Sequence, residues 1–142
     1  MNQDEGRTVE LTRTSSGRYE ARNVRGGVLP VGSGEDQDFT PVELLLAALA
    51  GCSAIDVDLI TGRRAQPVRF EVHAEGDKVR DDQGNHLTGL LLTFDVRFPD
   101  GDAGDAARGV LPRSIEQSRD RLCTVSRTVA LASPVEMGTA MG

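Results

Sequence analysis

Apolar and polar residues alternate along two stretches in the middle of the chain. Val68, Phe70, Val72 and Ala74 interleave with Arg69, Glu71, His73 and Glu75, and Leu90, Leu92, Phe94, Val96 and Phe98 repeat the pattern. A period of two predicts half-buried strands. Asp81-Asp82-Gln83-Gly84-Asn85 supplies the turn residues between them. Two shorter strands are predicted upstream, over residues 9–14 and 18–24, joined at Ser15-Ser16-Gly17. Residues 26–38 are rich in Gly, Asp and Ser and read as a mobile connection holding a short strand at 28–31.

A different pattern follows. Residues 44–55 are almost entirely apolar and are bracketed by Glu43, Asp56 and Asp58. Thr40 suits an N-cap, Pro41 the first helical position and Glu43 the positive helix end. The helix is expected to reach about residue 60, with Gly62 as its stop. A membrane span needs about 20 apolar residues, and this run is shorter, so it reads as a buried helix. Being apolar on every side, it must be covered all round, which implies a second subunit. Ala103, Ala106, Ala107, Val110, Leu111, Ile115 and Leu122 recur at helical spacing, with Gly109 and Pro112 expected to kink or split that helix. Residues 124–132 read as a closing strand. The order predicts a single α+β domain over 1–142, with residues 1–6 disordered, rather than a parallel βαβ fold.

Charge narrows the function. The net charge is −6 and Lys78 is the only lysine, which argues against nucleic acid as a partner. The polar, acidic start predicts no secretory signal, and two cysteines without a dense framework suit a reducing cytoplasm. His73 falls on the polar face of its strand and His86 at a turn, both surface positions. No Cys/His spacing resembles a zinc site. Gly32-Ser33-Gly34 lacks the setting of a dinucleotide loop, and no Gly-x-Ser-x-Gly elbow is present. What remains is the cysteine pair. Cys52 closes the run that opens at Thr40, inside the apolar helix, and Cys123 stands where a helical pattern gives way to a strand-like one, a combination that suggests thiol redox chemistry.

The run Pro-x-Glu-Leu-(apolar)-Ala-Ala-x-x-Gly-Cys from Pro41 to Cys52, and Cys-x-Val-Ser at Cys123, resemble the OsmC/Ohr family of osmotically induced and organic-hydroperoxide-resistance proteins. The resemblance implies an intertwined homodimer, with antiparallel sheets wrapped around long central helices that carry the cysteine. It implies a peroxidase in which Cys52 attacks a hydroperoxide and Cys123 resolves the sulfenic acid to a disulfide. A dithiol reductant, such as a lipoyl group, reopens that disulfide; no metal or bound cofactor is implied.

A mid-helix thiolate lies beyond the helix dipole and needs a cation. In the family that cation is an arginine after a glycine in the first turn, which Gly17-Arg18 matches. The glutamate that follows the helix-opening proline in peroxidase branches is Val42 here, and Glu43 is displaced by one. At about 100° per residue Glu43 and Cys52 fall on opposite faces, while Asp56 lies one turn beyond Cys52 on the same face. Glu43 or Asp56 is therefore expected to orient Arg18. The pattern is closer to a less characterised OsmC-like branch.

Phe39, Leu45 and Leu49 are expected to line an apolar entrance for an organic peroxide. Two other readings stay open. One is a non-enzymatic dimer that binds an apolar ligand or acts as a redox switch; the other gives both cysteines a structural role.

Overall fold

The computed structural model describes residues 6–140, so the expectation of disorder over residues 1–5 lies outside it. Its residues fall into two compact units, divided between Leu45 and Leu46. In the first, strands β1 (Glu10–Ser15), β2 (Arg18–Arg22) and β3 (Val28–Val31) form an antiparallel sheet in that order. Gly17 turns β1 into β2 at φ 72°, and a Cβ there would stand 2.9 Å from Ser33 Oγ. Glycine meets both demands. The glycine-rich connection after β3 is tied down by Gly32 N–H donating to Phe39 O at 3.0 Å.

Helix α1 (Pro41–Gly62) begins in the first unit and runs into the second. Its start follows the sequence closely. Thr40 Oγ1 accepts from Glu43 N–H at 3.3 Å and Glu43 Oε1 accepts from Thr40 N–H at 2.8 Å. The two side chains thus satisfy two N–H groups that a helix start otherwise leaves orphaned. At 22 residues α1 is longer than the apolar run, long and apolar enough by length and composition to cross a membrane. Its buried residues, however, are Leu49, Ser53, Val57 and Thr61, a single stripe at spacing four. A half-polar stripe packed inside a protein unit is that of a core helix.

The second unit continues with β4 (Arg69–Asp81) and β5 (Gly84–Arg97), paired as a long antiparallel hairpin. Phe70 faces Val96, Val72 faces Phe94 and Ala74 faces Leu92, so the alternation read from the sequence becomes one apolar face. Phe70 and Phe94 meet edge-on with ring centroids 6.4 Å apart. Arg69 and Arg97 converge on Asp95, holding its carboxyl below the usual carboxylate range. His73 carries a largely exposed side chain on the polar face of β4, as expected, whereas His86, expected at a turn, lies within β5 opposite Val79 and is half-buried.

Helix α2 (Asp102–Gln117) follows, then a π-helical turn (Ser118–Leu122) and helix α3 (Thr124–Ala130). Two expectations are corrected here. Gly109 and Pro112 do not split α2, which runs on through both; the irregularity falls later, in the π turn. Residues 124–130 form a helix rather than a strand. Val125 and Val129 share one helical face, and Cys123 caps the N-terminus, its Sγ accepting from Ser126 N–H at 3.4 Å. β-branched residues favour strands only weakly, and a cap of this kind outweighs them.

Candidate active site

Cys52 lies on α1 beside the buried stripe and is part-exposed, whereas Cys123 is fully buried. Both are free thiols. The helical start of α3 brings two backbone N–H groups, of Val125 and Thr124, to the Cys52 sulfur, together with the Cys123 side chain. Four influences follow. Burial is the largest and pushes the Cys52 thiol above its ordinary value; the Val125 N–H opposes it; Cys123 raises it further through its hydrogen bond and its charge; the Thr124 N–H opposes it again. The net effect is upward. The two thiols that the sequence singled out are therefore neighbours. The amides that favour a Cys52 thiolate come from a segment whose strand-like composition hid them.

The other expected site residues have local partners. Arg18 lies in the first unit, where its guanidinium meets Asp38 at 3.1 Å and Asp36 at 3.4 Å. Those carboxylates, from the connection after β3, are its partners rather than Glu43. Glu43 is engaged in capping α1. Asp56 Oδ2 accepts from Ser118 Oγ at 2.8 Å.

The second unit also holds an open-mouthed pocket of about 380 Å³, which neither cysteine lines. Its walls are mostly apolar, with Leu46 and Leu49 from α1, Leu92 and Phe94 from β5, Ile115 from α2 and Val129 from α3. Ser53 and Ser126, neighbours of the two cysteines, supply polar edges together with the charged Glu75 and Arg119. Of the three residues expected at an apolar entrance, Leu49 lines this space, whereas Leu45 and the half-exposed Phe39 belong to the first unit. The sequence assigned no role to Ser53, Ser118 or Ser126, although Ser126 closes the Cys-x-Val-Ser motif. The one available signal was the Cys123-x-x-Ser126 spacing, which is that of an N-cap and its third residue.

The fold and the motif find relatives. A curated protein of Mycobacterium tuberculosis, uncharacterized, is 34% identical over 130 residues, covering 89% of this chain and 91% of its own. Among solved structures, an OsmC-like protein of unknown function from Vibrio cholerae superposes with a TM-score of 0.73 at 13% identity, covering 88% of this chain and 94% of that one. An OsmC-like hydroperoxide resistance protein from Jannaschia superposes with a TM-score of 0.52 at 15% identity, covering 94% and 91%. The family profile described as OsmC-like protein matches residues 34–138, taking in both cysteines, α1 and the hairpin. The chain therefore belongs to the OsmC-like family.

Proposed function

We propose that this protein is a thiol-dependent peroxidase acting on organic or small hydroperoxides. The observation that carries the reading is the meeting of Cys52 with Cys123 and with the N–H groups of Val125 and Thr124. The hydroperoxide resistance named for the Jannaschia neighbour supports it. In the first step Cys52, as thiolate, attacks the terminal peroxide oxygen. The O–O bond breaks, the alcohol leaves with a proton, and Cys52 becomes a sulfenic acid. The Cys123 thiol then attacks that sulfur, water departs, and a Cys52–Cys123 disulfide forms. An external dithiol, possessing the two electrons required, reopens the disulfide by exchange.

The amides at the start of α3 are assigned to the developing sulfur charge. Arg18 and Glu43 are assigned the ion pair and the helix cap in which they are engaged. Ile55 and Leu59 on α1 are 63% and 66% exposed in one copy, and a second copy of the chain is assigned to cover them. The chemistry suits a reducing compartment such as the cytoplasm.

The raised Cys52 thiol favours a second reading, in which the apolar cavity holds a ligand and the thiols do not turn over. Steady-state reduction of cumene hydroperoxide and hydrogen peroxide with a dithiol separates the two. Turnover lost in Cys52→Ser and impaired in Cys123→Ser is expected. Absence of turnover with both peroxides overturns the peroxidase reading.

A further inference from the structure

Three polar side chains tie α1 to the turn that leads into Cys123. Ser118 is fully buried and Ser53 nearly so. Their hydroxyl oxygens lie 2.9 Å apart, and Ser118 Oγ donates to Asp56 Oδ2 at 2.8 Å. A serine has one O–H, so with Ser118 donating to the carboxylate, Ser53 is the donor to Ser118. The chain of hydrogen bonds therefore runs Ser53 to Ser118 to Asp56, and its last link is charge-assisted.

Ser53 follows Cys52 directly, and Asp56 lies one helical turn beyond it. On the other side, the Ser118 carbonyl accepts from Cys123 N–H at 2.9 Å, the bond that closes the π-helical turn. One residue is thus fastened through its side chain to the helix carrying Cys52 and through its main chain to Cys123. π-helical turns are rare and cluster at functional sites, and this one places a thiol.

We infer that Ser118, anchored by Asp56 and Ser53, is a positioning residue that sets the approach of Cys123 to Cys52 and so governs the closing of their disulfide. The inference rests on the thiol pairing of the proposed function, but not on peroxide as the oxidant. Ser118 touches no reacting atom; it acts through the turn.

An aromatic disulfide reagent, 5,5′-dithiobis(2-nitrobenzoate), isolates the step. The Cys52 thiolate attacks the reagent, releasing one thionitrobenzoate and leaving a mixed disulfide. The Cys123 thiolate then attacks the Cys52 sulfur, forming the Cys52–Cys123 bond and expelling the second thionitrobenzoate. Two thiols are oxidised, one reagent molecule is reduced and two protons pass to solvent. Stopped-flow absorbance reads the two releases separately.

Ser118→Ala is expected to slow the second release about tenfold or more, the scale on which misplaced reacting groups lose rate, while the first changes little. Asp56→Asn keeps an acceptor oxygen and should stay close to wild type, whereas Asp56→Leu should match Ser118→Ala. The part-exposed Asp56 pair carries the test if Ser118→Ala does not fold. A wild-type rate of second release in folded Ser118→Ala or Asp56→Leu overturns the inference, as does a wild type that releases no second thionitrobenzoate. If peroxide turnover is absent but Ser118→Ala still slows closure, the peroxidase reading falls and the positioning role stands.

Discussion

The upward push on the Cys52 thiol has a measurable consequence. An ordinary cysteine ionises near about pH 8.5, and each pH unit below that lowers its thiolate about tenfold. Cys52 sits above its ordinary value, chiefly through burial. Its alkylation by iodoacetamide, which reads the thiolate, should therefore climb about tenfold per unit without a plateau, about a hundredfold between pH 6.5 and 8.5. Cys123→Ala removes the neighbouring thiol's hydrogen bond and charge, both of which raise the Cys52 value, and leaves burial and the two amides in place. The curve should then move to lower pH, so that at pH 7.5 the variant alkylates faster than wild type.

The assay is quantitative mass spectrometry of the Cys52 peptide across a pH series. A plateau below pH 7 in wild type would refute the reasoning, because it requires a cation strong enough to outweigh burial. Slower alkylation in Cys123→Ala would refute the part assigned to the neighbour. Stability carries the matching sign. The folded protein holds the Cys52 proton more tightly than the unfolded chain, so this contribution is complete below the unfolded thiol's value and is lost as pH rises through the folded one.

Three further outcomes are expected. A Cβ on the buried Gly104 of α2 would overlap the Pro99 carbonyl oxygen, so Gly104→Ala should cost about 1–3 kcal/mol or more in urea unfolding, whereas Gly109→Ala on the same helix, with open space around it, should gain about 0.5–1 kcal/mol. Glu43→Ala breaks the reciprocal cap of α1 and should lower stability by about 1 kcal/mol, read from the denaturation midpoint. Ile55→Arg charges the uncovered face of α1 and should halve the mass measured by sedimentation equilibrium; an unchanged dimer would show that another surface holds it together.

What the sequence disclosed depended on how local its physics is. Thr40, Pro41 and Glu43 announce the start of α1 because capping involves residues three apart, and the β4–β5 hairpin is visible because alternation is a property of the strand itself. Residues 124–130 misled because Thr124, Val125, Thr128 and Val129 are β-branched. The helix there begins at Cys123 as cap, and its first amides meet Cys52, far upstream. The two cysteines were legible as a pair, but the amides between them and the thiolate were not. Arg18 was matched by its place after Gly17, while its partners Asp36 and Asp38 lie in a connection whose composition announces only a loop. Ser118 carried no signal at all, since its importance lies in bonds to residues 53 and 56.

The nearness of Cys52 and Cys123 also couples chemistry to the denatured ensemble. A bond between them would close a loop of roughly 70 residues, enclosing the whole β4–β5 hairpin and α2, and loop-closure entropy alone puts the resulting constraint on the unfolded chain at about 4 kcal/mol. Each cycle of oxidation and reduction would then tighten and loosen global stability as well as change the state of two sulfurs. A reductant that opened such a bond would work against that gain, so folding would favour the oxidised form relative to the unfolded chain.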